Sequence, residues 1–228
     1  IAEDALRSKA AGVDRYSIVT AGRGLHGMDF AEAVAVYRRI KRETGLSLCA
    51  SHGLQTDEEF KQLKAAGVTR YHANIETSAR YFPQICTTHT YQNKIDNIQR
   101  AHQAGLSICS GGIIGMGETA EDRLDMAISL SELAVDSIPI NLFTPIKGTP
   151  LADLPPIAEE DVLRTVAFFR YINPTAQIRM AAGRRHFSDH GAALFRSGAN
   201  AAITGDMLTT TGTGIAEDRS MVTQIGYT

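Results

Sequence analysis

Three cysteines are spread along 228 residues, at positions 49, 86 and 109. Cys49 and Cys109 each close an apolar run that opens on a glycine, in "GLSLCA" and "GLSICS", and Cys86 follows the run "YHANIETS" in the loop "QICTTHT". Taken singly, each fits a small buried apolar residue as well as a ligand. All three fall on the same predicted rim, which suits thiolates gathered around an iron-sulfur cluster, and Arg179 in "QIRMAAG", on a neighbouring predicted strand, would balance their charge. The odd, sparse count argues against a disulfide framework. After Cys109, four of the next eight residues are glycine, in "SGGIIGMG". On its own this reads as a strand ending in a flexible turn.

The histidines read more plainly. His186 and His190 are four apart and could share a helix face, yet without an acidic partner they fit a solvated surface better than a zinc site. His52 lies near the Cys49 rim and could support that cysteine, while His26 and His102 carry no readable signal. Gly22, Gly24 and Gly27 give the G-x-G-x-x-G spacing, which is weak when it stands alone.

These residues need elements to position them. Helical segments close on a small residue and glycine before a β-rich run begins, in "KAAGVDRYSIV", "KRETGLSLCA", "LKAAGVTRYHANI", "AHQAGLSICSGGII" and "FRSGANAAITG". Glycine after a helix is the usual left-handed cap, and the apolar run behind it reads as a buried strand. Two more strands fit residues 136–144, "DSIPINLFT", and 176–182, "AQIRMAA". Between them lie amphipathic stretches such as "TDEEFKQLKAAG", where Thr56 and Glu59 have the spacing of a capping box, and "EEDVLR" at 159–164 places acidic residues at a helix start. Strand and helix alternate about seven times, the pattern of a parallel α/β sheet. A (β/α)8 TIM-type barrel keeps its chemistry at the carboxyl ends of its strands. The chain opens on a helix, "IAEDALRSKAAG", so the expectation is one barrel domain over 1–228 that lacks its first strand and holds the second to eighth βα units. A doubly wound open sheet is the rival.

Composition narrows the partners. A formal net charge of -2, with no long run of either sign, lacks the footprint of a nucleic-acid binder. No apolar stretch approaches a bilayer span and no charged start precedes one, so no membrane partner and a cytoplasmic location are expected. With 43 % hydrophobic residues the chain can bury a substantial core.

The blocks "YHANIETS", "CTTHTYQNKI", "CSGGIIGMGET", "IPINLFTPIKGTPL", "IRMAAGR" and "GANAAITGDMLTTTG" resemble, in order and spacing, the biotin synthase family of radical S-adenosylmethionine (SAM) enzymes. The resemblance spans essentially the whole chain. It implies a radical SAM barrel, a sulfurtransferase that cleaves SAM at a 4Fe-4S cluster, abstracts hydrogen from dethiobiotin and inserts sulfur from an auxiliary iron-sulfur cluster, 2Fe-2S or a variant of it. It further implies a reductant such as flavodoxin or ferredoxin and a homodimer. By position it assigns Cys49, Cys109 and Arg179 to the auxiliary cluster. Asn74, Glu76 and Lys94 match SAM contacts, and the segment holding Gly112, Ile114 and Gly115 matches that along which the adenosine packs. Asn141, Thr210 and Thr211 match positions at the substrate.

Departures from the family accompany these matches. The C-x3-C-x2-C loop that binds the radical-generating cluster does not occur in the sequence, so the 4Fe-4S ligands are not in this chain and the chain alone is expected not to cleave SAM. Lys94 stands where the family can have arginine. His72 stands where some members place an asparagine at dethiobiotin, so it remains a substrate-contact candidate. Ser17 stands where some members have an auxiliary-cluster cysteine, and Cys86 becomes the candidate for the third thiolate. Two other readings stay open: another radical SAM barrel, of the hydrogenase maturase or methylornithine synthase type, and a cluster-free barrel that binds a small molecule or acts as a lyase. The joint presence of Cys49, Cys109 and Arg179 favours biotin synthase.

Overall fold

The computed structural model describes residues 1–184, 187–189, 191–205 and 214–226. In chain order the elements are α1 (Ala2–Ala10), β1 (Arg15–Val19), α2 (Gly27–Thr44), β2 (Ser47–Ser51), α3 (Asp57–Ala65), β3 (Val68–His72), α4 (Phe82–Ile85), α5 (Tyr91–Gln103), β4 (Ser107–Cys109), β5 (Gly112–Ile114), α6 (Ala120–Glu132), β6 (Ser137–Leu142), α7 (Glu159–Ile172), β7 (Gln177–Met180), α8 (Ala192–Arg196), β8 (Ala201–Ala202) and α9 (Ile215–Gln224). All strand pairs are parallel, as the alternation of strand and helix requires. They fall into two compact units, residues 1–74 with 90–109, and residues 75–89 with 110–228.

In the first unit β1, β2, β3 and β4 pair in sequence order. Alternate residues of a strand face opposite sides. Leu48, Ala50, Tyr71 and Ile108 point to the helix-covered side and are buried, with Phe60 of α3 meeting Tyr71 edge to face at 4.8 Å between ring centroids. Helix α3 starts at the expected capping box: the Thr56 hydroxyl accepts from the Glu59 amide, and the Glu59 carboxylate accepts from the Thr56 amide. Thr90 with Asn93 caps α5 in the same way. Gly45 ends α2 at φ 70°, the left-handed cap that the "ETGLSL" cadence announces.

In the second unit β5, β6, β7 and β8 pair in that order, over a core that includes Ile138, Ile140, Ile178 and Met180 with Val166 and Phe169 of α7. The run that Cys109 closes is β4, which ends at Cys109 as expected and pairs with β3; the glycine-rich stretch read as a turn holds a further strand, β5, which pairs with β6, with Ser110 and Gly111 between the two. Among the described residues no helix is long and apolar enough to cross a membrane.

Candidate functional site

The first unit carries a polar sheet face on the side away from the buried apolar residues. Ser17 of β1 is in register with Cys49 of β2, Cys49 with Arg70 of β3, and His72 of β3 with Cys109 of β4. Arg15, Ser17, Cys49, Arg70, His72, Ser107 and Cys109 thus share one face, by the two-residue period of each strand. Cys49 and Cys109 are 5 % and 6 % exposed, and none of the three cysteines is in a disulfide. Burial pushes the Cys49 thiol up to about 12, and the neighbouring Cys109 adds to the rise. A hydrogen bond from Ser17 and the charges of Arg15 and Arg70 pull the other way. The His72 Nδ1 lies 3.3 Å from the Cys109 sulfur. The Arg70 Nε donates to Ser107 at 3.2 Å, which fixes this buried cation beneath the thiols.

Such a face suits soft, electron-rich groups. Two thiolates need nearby positive charge when buried, and Arg15 and Arg70 provide it. Among the described residues no three His, Cys, Asp or Glu side chains gather to hold a single metal ion. The donor set on this face, two thiols with an imidazole and flanking guanidinium groups, instead fits a cluster that spans several strands.

Behind the face, His52 is 1 % exposed. Its Nδ1 lies 3.0 Å from the Thr20 hydroxyl and its Nε2 2.8 Å from the Tyr37 hydroxyl, so the ring ties the end of β1 and helix α2 to the segment after Cys49. Burial lowers its pKa to about 4, which keeps it neutral at physiological pH. The Tyr71 hydroxyl donates to the Gly53 carbonyl at 2.6 Å and holds the same segment. Asn74 follows β3 and Lys94 lies in the first turn of α5, both half-buried.

In the second unit Glu76 has φ 72°, a left-handed conformation that costs a non-glycine residue free energy. Two backbone hydrogen bonds hold it there: its amide donates to the Gly111 carbonyl at 3.1 Å, and its carbonyl accepts from Ile113 at 2.9 Å. The glycine-rich stretch allows this close approach. A Cβ on Gly112 would run into the Glu76 carbonyl and stand 2.5 Å from the Met126 sulfur, and one on Gly111 would run into the Pro139 carbonyl. Beyond Ile114, the buried Glu118 carboxylate accepts from the Gly115 and Met116 amides, each at 2.8 Å, and pairs with Arg123 at 3.1 Å. The glycines therefore form a braced backbone edge rather than a loose turn. The Asn141 amide donates to the Gly112 carbonyl at 3.1 Å and its oxygen accepts from Ala182 at 3.3 Å, so it fastens this edge. The Arg179 Nε donates to Ser137 at 2.6 Å, and its Nη2 donates to Gln177 at 2.8 Å. Cys86 caps the short helix α4, with its sulfur 3.6 Å from the Thr88 hydroxyl and 3.5 Å from the His89 Nδ1. Thr210, Thr211, His186 and His190 lie outside the described residues.

Sequence reasoning missed Arg15, Arg70 and Glu118. The signal for the first two is a shared period-two pattern, Arg15-Tyr16-Ser17 and Arg70-Tyr71-His72, which puts an arginine on the same face as the residue two further on. Glu118 has no signal of that kind, because its bonds are to backbone amides.

The first part of the chain, residues 1–130, matches the Radical SAM superfamily, and residues 139–228 match the Biotin and Thiamin Synthesis associated domain. The biotin synthase of Clostridium beijerinckii is 60 % identical over 227 residues, covering 100 % of this chain and 72 % of that protein. The biotin synthase of Alkaliphilus metalliredigens is 58 % identical over the same length, covering 100 % and 71 %. Among solved structures, methylornithine synthase superposes over 98 % of this chain and 70 % of its own with a TM-score of 0.82, at 18 % identity. The FeFe-hydrogenase maturase of Carboxydothermus hydrogenoformans does so over 99 % and 58 % with a TM-score of 0.78, at 14 % identity. These two share the radical SAM barrel fold, while the sequence relatives separate the chain from both: it belongs to the biotin synthase family of radical SAM enzymes.

Proposed function

We propose that this chain, read as one radical SAM barrel over 1–228, carries out the sulfur-inserting half of biotin synthesis, with dethiobiotin as substrate. When bound, SAM and the 4Fe-4S cluster supply a 5'-deoxyadenosyl radical that removes hydrogen from dethiobiotin, and an auxiliary iron-sulfur cluster supplies the sulfur. The sequence contains no C-x3-C-x2-C motif, so no ligand of the 4Fe-4S cluster is assigned here. Cys49 and Cys109 hold the auxiliary cluster, with Arg179 as the further family ligand. Arg15 and Arg70 offset the thiolate charge.

For SAM, the Glu76 carboxylate accepts from the ribose hydroxyls, Asn74 and Lys94 contact the polar end, and Gly112, Ile114 and Gly115 offer a bare edge to the adenine. By family position Asn141, Thr210 and Thr211 serve the substrate. A flavodoxin- or ferredoxin-like reductant, a homodimer and a cytoplasmic location complete the reading.

The observation that carries it is the shared face of β1 to β4, where two buried thiols stand among cationic side chains. The test joins this chain to a segment bearing the family's C-x3-C-x2-C motif, loads iron and sulfide, and supplies SAM, dethiobiotin and a reductant. Formation of both 5'-deoxyadenosine and biotin is expected. Deoxyadenosine without any biotin from a fully loaded protein would overturn the assignment.

A further inference from the structure

Ser17 stands where some family members have an auxiliary-cluster cysteine, and the strand register places another donor on the same face. His72 lies on β3, between the two cysteine strands, in register with Cys109 and two residues beyond Arg70, which is itself in register with Cys49. Adjacent strands stand about 4.8 Å apart, so β2 and β4 are separated by roughly 9 to 10 Å. A cluster held from both cysteine strands would have β3 as the strand between its thiolates.

Resting on the cluster assignment proposed above, we infer that the His72 imidazole is a ligand of the auxiliary cluster, through Nδ1, beside Cys49 and Cys109. The ring nitrogen is 3.3 Å from the Cys109 sulfur, so the two donors are already neighbours on this face. The ring is half-exposed and opens from the face rather than into the helix-packed core, where Tyr71 and Ala73 lie. Coordination requires the neutral tautomer with its proton on Nε2; the Nδ1 lone pair goes to iron, and no electron changes hands. Ser17 keeps a different role, in register beside Cys49, where its hydroxyl favours the thiolate. Cys86 fits less well, because its sulfur is engaged with Thr88 and His89 of its own loop. Imidazole in place of thiolate removes negative charge from the cluster and raises its reduction potential, as in centres where histidine replaces cysteine on iron.

The test uses protein reconstituted anaerobically with iron and sulfide, reduced, and measured by electron-nuclear double resonance with and without ¹⁵N-histidine. This label separates imidazole from the arginine nitrogens. The expected result is a directly coupled nitrogen that takes the ¹⁵N signature in labelled protein and vanishes in His72→Asn. His72→Cys should keep its iron at a lower potential than the parent. Cys49→Ala and Cys109→Ala should each lose at least half of the bound iron, whereas Cys86→Ala should keep it. A cluster that depends on Cys49 and Cys109 but shows no histidine coupling in the labelled parent would overturn the inference and leave the cluster assignment standing. Iron that is indifferent to Cys49 and Cys109 would overturn the assignment beneath it.

Discussion

A thiol placed as Cys49 is keeps its proton until metal takes it. Burial first, and the adjacent Cys109 second, hold its pKa near 12, so almost none is thiolate at neutral pH despite Ser17, Arg15 and Arg70. Metal-free protein at about pH 7.5 should therefore react with iodoacetamide first at the half-exposed Cys86, with Cys49 and Cys109 at least about tenfold slower, as mass spectrometry of the labelled peptides would report. Faster labelling at Cys49 than at Cys86 would contradict this. Glu76 makes the opposite trade at the same scale. Its φ of 72° is one that glycine adopts without strain, so Glu76→Gly should keep stability or gain up to about 1 kcal/mol. The same change removes the carboxylate proposed to accept from SAM, and affinity should fall by about 1.5 kcal/mol or more, roughly tenfold in Kd. Denaturant melts and SAM titrations of one variant would read both. A variant that loses stability and keeps its SAM affinity would show that Glu76 serves the fold.

At the scale of elements, the segment from β2 into α3 is held by a buried neutral histidine. The His52 pKa, lowered to about 4, lies below the ordinary value near 6.5 that the unfolded chain retains. The unfolded chain therefore takes up a proton first as pH falls. Stability from His52 is complete above about 6.5 and is lost as pH drops toward 4, by about 1 to 2 kcal/mol at pH 5. Urea melts at several pH values between about 7.5 and 5 should show this slope in the parent and a flatter one in His52→Asn, whatever the variant's stability at pH 7.5. Equal slopes would remove His52 from the account. The elements themselves were legible wherever a glycine-capped helix met an apolar run, which is why β1, β2, β3, β6 and β7 fall where expected. Strand β5 was not, because "GGII" reads by composition as a glycine-rich turn and only its pairing with β6 makes it a strand. Helix α4 is a single turn inside "YFPQIC", too short for a periodic signal, and "IAEDRSMVTQ" of α9 has no sustained apolar stripe. At the site, the cysteines were visible as residue types. Arg15 and Arg70 carry a period-two pattern with Ser17 and His72, but only strand register sets that pattern beside the two cysteines.

For the molecule as a whole, the Cys49 and Cys109 face, as the proposed seat of the auxiliary cluster, would be the origin of the inserted sulfur rather than a buried structural feature. Joined to the family's three-cysteine segment, reconstituted with ³⁴S-sulfide and supplied with SAM, dethiobiotin and reductant, the protein should release biotin carrying ³⁴S. Cys109→Ala, with its radical-generating cluster intact, should still form 5'-deoxyadenosine while biotin falls at least about a hundredfold. Labelled biotin formed by Cys109→Ala at the parent's rate would contradict the account.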